Sequence, residues 1–307
     1  MNARPDTVVV FDAWVRRELD AVEAALDAWV PADAPTGLGE AMRYGVLDGG
    51  KRLRPLLVMA ACEAVQGQRP AALRAAVAVE LIHAYSLVHD DMPCMDNDVL
   101  RRGKPTVHVK YGEAQAMLAG DAMQALAFEV LTAPALPAAA PFDVAPELQA
   151  RLCSLLARAA GHAGMAGGQA IDLASVGRPL DEATLRDMHR RKTGALLQGS
   201  VLMGAACGNP GPLAWQALAD YGAALGLAFQ VVDDILDVTQ ASDKLGKTAG
   251  KDVGANKPTY VTALGLDAAR RYAAELRQQA HAALERSGLA GVTILSLLAD
   301  RVVEREH

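Results

Sequence analysis

The chain has 307 residues, 51% hydrophobic and 21% charged, which is the composition of a globular protein with a sizeable core and not of a disordered one. Its net charge of −6 gives no electrostatic reason to expect nucleic acid as a partner, although it leaves room for local basic pockets. Aromatics at 4% and abundant alanine disfavour sheet, which draws on aromatic and β-branched residues, and favour helix.

The chain opens "MNARPDTVVVFDAWVRR", with an early acid and only a short apolar run, so no secretory signal is expected. Apolar residues recur at three- and four-residue spacing over Val15–Val30, Ala71–Asp90 and Ala214–Asp237, the helical period, and no convincing alternating run is present. Proline- and glycine-bearing breaks fall near 31–35, 66–70, 102–105, 134–146, 176–179, 208–212 and 242–258. Asp181 heads "LDEATLRDMHRRKTGALLQGSVLMG" as a helix N-cap with acids in the first turn. The longest uncharged stretch, Thr193–Ala219, is broken by "GNPGP" and leaves a helix of about fourteen residues, short of the roughly 20 that span a bilayer, so no membrane span is expected. Cys62, Cys94, Cys153 and Cys207 show neither a C-x-x-C pair nor metal-ligand spacing, which predicts a reduced, cytoplasmic protein. The expectation is one all-α domain, residues 1–307, of ten or more helices.

Two acidic runs stand out: "HDDMPCMDND" (His89–Asp98) and "QVVDDILD" (Gln230–Asp237). On a helix, residues three, four and seven apart share a face, so Gln230, Asp233, Asp234 and Asp237 form one stripe, with Val231, Val232, Ile235 and Leu236 on the buried remainder. Asp90, Ser86 and His83 share a face in the same way. Pro93 ends that helix just after Asp91 and lets the chain curl so that Asp96 turns back towards Asp90. A solvated acidic face is the plain alternative for either run, but both are embedded in aliphatic helices. Carboxylates so placed need cations, and Mg²⁺ commonly takes one or two of them together with waters and a phosphate.

Basic residues lie near these acids: Lys51, Arg52 and Arg54 in "GKRLRP", Arg101, Arg102 and Lys104 in "LRRGKPTVH", Arg190, Arg191, Lys192 and Thr193 in "HRRKTG", and Lys244, Lys247, Lys251 and Lys257 beyond the second run. Cations beside paired carboxylates suit diphosphates, with a metal bridging carboxylate to phosphate oxygens. A phosphate-cradling loop of the G-x-x-x-x-G-K-[ST] kind is absent, so a nucleotide is not favoured.

"DDMPCMD" and "DDILD" resemble the two aspartate-rich motifs of trans-prenyl diphosphate synthases. "GKRLRP", "LRRGKPTVH", "GQAIDL", "KTG", "FQVVDD" and "DKLGK" match as well, in the family's order, over residues 40–260. The stretch "IHAYSLVHDDMPCMDNDVLRRGKPTVH" is most similar to bacterial farnesyl diphosphate synthases. The resemblance implies an isoprenoid synthase-type bundle around a central cavity, a homodimer, and condensation of isopentenyl diphosphate with an allylic diphosphate. It implies three Mg²⁺ per site, two on Asp90, Asp91 and Asp96 and a third on Asp233, with Asp237 in the same set. Arg101, Lys192, Thr193, Gln230, Lys247 and Lys257 would hold the allylic diphosphate. Lys51, Arg54, His83 and Arg102 would hold isopentenyl diphosphate, and Gln169, Asp172 and Asp234 would lie near the metals. Family members often end in basic residues that close over the site; this chain ends "VEREH", where only Arg305 could serve.

Tyr85 and Ser86 precede Asp90 by about one turn, where a growing tail would run, and the resemblance makes Tyr85 a floor that stops the product at fifteen carbons; ordinary core packing is the plainer account of that tyrosine. Geranylgeranyl diphosphate synthesis is the alternative. A terpene cyclase shares the ionisation step but usually carries an Asn/Ser/Glu triad in place of "DDILD" and needs no isopentenyl site. A non-catalytic partner of a prenyl synthase tends to lose the aspartates that are complete here, and a phosphohydrolase centred on "HDD" lacks further histidine ligands.

Overall fold

A computed structural model describes residues 5–47, 49–133, 144–178, 180–239 and 259–305. The chain is all-α: α1 (Pro5–Trp29), α2 (Leu38–Val46), α3 (Leu53–Ala64), α4 (Arg69–Asp90), α5 (Val107–Tyr111), α6 (Glu113–Thr132), α7 (Pro146–Ala160), α8 (Met165–Ala174), α9 (Glu182–His189), α10 (Ala195–Ala206), α11 (Pro212–Thr239), α12 (Tyr260–Leu264), α13 (Leu266–Arg286) and α14 (Thr293–Val303). The only strands among the described residues, β1 (Leu100–Arg101) and β2 (Lys104–Pro105), form a hairpin that periodicity could not reveal. Its two-residue turn, Arg102 (φ 53°) and Gly103 (φ 77°), is left-handed at both positions, which matches the twist of tightly paired strands.

The chain packs as two compact units, residues 1–99, 105–153 and 203–209 in one, and 100–104, 154–202 and 210–307 in the other. In the first, α4 is enclosed by α1, α2, α3 and α6. It is apolar on nearly every face, with Ala71, Ala72, Ala75, Val77, Val79, Leu81 and Ile82 fully buried, as befits a central helix. By length and composition α4 could cross a membrane, but 72% of its most apolar window is buried within the protein. Arg52 joins this interior: it sits at 3% exposure and pairs with Glu80 at 2.7 Å and Glu23 at 2.6 Å while donating to the Val46 carbonyl at 2.7 Å.

In the second unit α11 lies along α13, and Leu185, Met188, Val231, Val232, Leu236, Tyr260, Ala273 and Leu276 form a common core. Asp181 caps α9 as its sequence predicts, accepting from the Thr184 amide at 2.8 Å. The expected uncharged helix ends at Ala206, and α11 begins at Pro212, directly after "GNPG". The fully buried Tyr221 donates to the Leu295 carbonyl at 2.7 Å and ties α14 to α11.

Candidate active site

The first acidic run leaves α4 as its proline requires. The helix ends at Asp90, with Asp91 as its C-cap, and the following loop folds back on itself. The Asp96 amide donates to the Asp90 carbonyl at 2.8 Å, and the Asp98 amide to the Asp91 carbonyl at 3.1 Å. Asp90 and Asp96 are thereby neighbours through their backbones, the curl expected of Pro93. Thr106 secures the loop's far end: its amide donates to the Val99 carbonyl at 3.1 Å and its hydroxyl to the Asp98 carbonyl at 2.8 Å. Asp91 is 2% exposed, so this run is not a solvated face throughout.

Behind it, Tyr85 is half-buried on α4, and burial together with the nearby Asp90 raises its phenol pKa above the ordinary value. Its ring meets the His89 ring edge-on at 5.7 Å. The Ser86 hydroxyl donates back to the His83 carbonyl at 2.8 Å. Lys51 is exposed and Arg54 half-buried, on either side of the buried Arg52 at the start of α3, and His83 is half-buried on α4. Arg101 lies half-buried in β1, and Arg102 is exposed in the hairpin turn.

The second run behaves as a stripe with a division of labour. Asp234 and Asp237 are buried at 3% and 5% exposure, whereas the Asp233 side chain is 39% exposed. Asp234 accepts from the Tyr260 amide at 2.8 Å, which satisfies the start of α12, and from Gln230 Nε2 at 2.9 Å. Asp233 instead meets Arg305, whose guanidinium lies 2.6 Å from its carboxylate, donates to the Phe229 carbonyl at 3.0 Å and stacks 4.0 Å over the Phe229 ring.

Between α9 and α10 the helix widens into a π-turn, Arg190–Gly194, which carries "RRKTG". Its backbone lies so near α8 that a Cβ on Gly168 would come 2.1 Å from the Lys192 nitrogen; on the other side a Cβ on Gly226 of α11 would come 2.7 Å from the Gly194 Cα. Pressed between those glycines, the turn sends Lys192 one way and Thr193 the other. Lys192 Nζ pairs with Asp172 of α8 at 2.5 Å, and the Thr193 hydroxyl donates to Gln230 Oε1 of α11 at 2.9 Å. Thr193, Gln230, Asp234 and the Tyr260 amide thus form one hydrogen-bonded chain. Arg190 and Arg191 are both engaged by Asp187, at 2.5 Å and 2.7 Å. Gln169 is buried beside this group at 9% exposure.

Sequence reasoning passed over His189, which opens the π-turn. It is 6% exposed, and neither ring nitrogen meets a hydrogen-bond partner among the described residues. Burial lowers its pKa to about 4, with Asp172 opposing and Lys192 adding to the shift. Its ring lies 5.3 Å from that of Tyr260. The three-residue offset from Lys192 was its only trace in the sequence. Lys247 and Lys257 fall outside the described residues.

Among the described residues no three His, Cys, Asp or Glu side chains converge on a ready-made cation cage. Mg²⁺ does not require one, since diphosphate oxygens and water complete its shell. The donor chemistry fits a hard cation: the ligands in question are carboxylates, Asp90, Asp96 and Asp233 are each partly exposed, and Asp233 already draws a guanidinium.

Residues 35–288 match the polyprenyl synthetase family. The chain belongs to that family. It is 49% identical over 273 residues, 88% of this chain and 74% of the relative, to geranylgeranyl pyrophosphate synthase 9, chloroplastic, of Arabidopsis thaliana. Its structure resembles an FPP/GFPP synthase from Zymomonas mobilis at TM-score 0.83 and 39% identity, covering 96% of this chain and 99% of that one. It also resembles geranylgeranyl pyrophosphate synthetase from Pyrococcus horikoshii at TM-score 0.87 and 32% identity, covering 97% and 99%. A further likeness, at TM-score 0.83 and 32% identity over 99% and 100% of the two chains, is to a geranyltransferase from Helicobacter pylori complexed with magnesium and isoprenyl diphosphate. The fold is of the isoprenoid synthase type, and the enzyme is a prenyltransferase of isoprenoid biosynthesis.

Proposed function

We propose that the enzyme condenses isopentenyl diphosphate with dimethylallyl or geranyl diphosphate and releases farnesyl diphosphate. The observation that carries the product length is Tyr85, a half-buried aromatic five residues before Asp90 with its ring against His89.

Lys192, Thr193, Gln230 and Arg101, with Lys247 and Lys257, hold the allylic diphosphate; Lys51, Arg54, His83 and Arg102 hold isopentenyl diphosphate. Asp90, Asp91, Asp96, Asp233 and Asp237 would hold three Mg²⁺, which when bound supply Lewis-acid stabilisation of the departing diphosphate. Positive charge fixed in advance where negative charge develops favours ionisation of the allylic C–O bond. The isopentenyl double bond attacks the resulting carbocation, and the released diphosphate accepts the proton then lost. Aliphatic walls keep out water that would quench the cation. Exposed apolar Val109, Met117 and Leu118, on α5 and α6, support a homodimer. The free state of all four cysteines supports a cytoplasmic setting.

The likeness to plant geranylgeranyl synthases favours a twenty-carbon product as the second reading. Overall identity says little about chain length, however, when one side chain blocks the tail. Purified enzyme given geranyl and isopentenyl diphosphates with Mg²⁺ is expected to yield a fifteen-carbon product by mass spectrometry, and Tyr85→Ala a longer one. A twenty-carbon product from the unaltered enzyme would overturn the farnesyl assignment. Diphosphate release without any longer prenyl chain would indicate a cyclase or hydrolase.

A further inference from the structure

We propose that His89 is a product-length determinant that acts through Tyr85, its imidazole wedged against Gly120 as the brace that keeps the tyrosine ring in place. The proposal rests on the assignment of Tyr85 as the floor.

Tyr85 and His89 are one turn apart on α4, the spacing at which side chains on a helix touch. Their rings meet at 5.7 Å with planes 75° apart, the edge-to-face arrangement that aromatic quadrupoles favour. His89 is itself held from α6. Its Nε2 lies 3.0 Å from the Met117 carbonyl oxygen, a hydrogen bond in the tautomer that carries the proton there. The ring fills the space a side chain at position 120 would need: a Cβ on Gly120 would lie 2.0 Å from Nε2, 2.5 Å from Cδ2 and 2.7 Å from Cε1.

A glycine inside a helix costs roughly 0.5–1 kcal/mol relative to alanine, so one in the interior of α6 calls for a reason. The imidazole supplies it. The α4–α6 contact is built around that missing methyl, and the ring seated there limits the rotamers open to Tyr85. A residue next to a metal-ligand candidate in sequence is thus turned towards α6, where it backs the Tyr85 ring.

The test is the ratio of twenty- to fifteen-carbon product from geranyl and isopentenyl diphosphates with Mg²⁺. A ratio is internal to active molecules and is unmoved by loss of folded protein. His89→Ala and Gly120→Ala are expected to raise it about two- to tenfold, the range that loss of one aromatic edge contact gives in a partition between product release and further elongation. His89→Phe, which keeps a ring on the glycine, is expected to stay near the unaltered ratio. In the Tyr85→Ala background, His89→Ala is expected to add nothing, because the brace has nothing left to hold. Ratios unchanged in both His89→Ala and Gly120→Ala, while Tyr85→Ala raises its own, would overturn the brace and leave the floor standing. A ratio unmoved by Tyr85→Ala would overturn the floor, and the brace with it.

Discussion

Arg305 closes on Asp233: the guanidinium of the third residue from the C-terminus lies 2.6 Å from the exposed acid of the second aspartate motif, with only 12% of the arginine side chain accessible. The tail reaches that acid because Tyr221 fastens α14 to α11 and because the arginine rests on the Phe229 ring. A guanidinium therefore lies against the carboxylate to which the proposed function gives a metal.

Removing that guanidinium should ease cation entry. Arg305→Ala is expected to tighten Mn²⁺ binding to the substrate-free protein about three- to tenfold, the value of a charge-assisted pair that is only partly buried. Electron paramagnetic resonance of free Mn²⁺ reads this without turnover. Asp233→Asn should weaken the same binding; if it leaves Mn²⁺ affinity unchanged, Asp233 is not a metal ligand.

Lys192 owes its position to Asp172, 2.5 Å away on a helix that approaches closely through Gly168. Lys192→Ala should raise KM for the allylic diphosphate about tenfold, the loss of one hydrogen bond to a charged group. Asp172→Asn keeps the ammonium but frees it, and a smaller rise of about threefold is expected. Steady-state kinetics with geranyl diphosphate as the varied substrate separates the two, and equal effects would remove the positioning role from Asp172.

The long helices were legible because burial and periodicity coincide in them: Ala71–Asp90 against α4 (Arg69–Asp90), and Ala214–Asp237 against α11 (Pro212–Thr239). The start of α1 was not, because Val9 and Val10 are 66% and 64% exposed and interrupt the apolar stripe. Pro93 announced the fold-back of the first aspartate run, since a missing amide acts locally. The π-turn had no such signal. It depends on Gly168 and Gly226 in two other helices, and only packing brings them to it. For the same reason the pairing of Arg52 with Glu23 and Glu80 was hidden, whereas Arg190 and Arg191 pair locally with Asp187, three and four residues back, and Lys192 alone of "RRK" reaches Asp172.

His189 should make stability sensitive to acid. Its pKa is about 4 in the folded chain against 6.5 when unfolded, so between those values the unfolded state binds a proton that the folded state refuses. Stability from this group is complete above pH 6.5 and falls as pH drops, by about 3 kcal/mol at pH 4. His189→Phe fills similar volume beside Tyr260 without a titrating nitrogen. Urea denaturation at pH 7 and pH 4.5 should show a smaller loss for this variant than for the unaltered chain. Equal losses would mean that His189 takes up its proton in the folded state.

Asp233 and Asp234, adjacent in sequence, should fail in opposite ways. Asp234 accepts from the Tyr260 amide and from Gln230, both inside the protein, and an amide in its place has one accepting oxygen for two donors. Asp234→Asn should therefore lower unfolding free energy by about 1–3 kcal/mol while folded molecules keep most of their turnover. Asp233 pairs with Arg305 in a partly exposed position, and an amide oxygen there still accepts from the guanidinium, so Asp233→Asn should change stability by less than about 1 kcal/mol. Its turnover should fall about a hundredfold or more, as expected when a metal-held carboxylate is lost. Urea midpoints beside kcat for the two variants decide the matter: a stable, inactive Asp234→Asn would move the catalytic role one residue along the helix, onto a carboxylate already engaged by the start of α12.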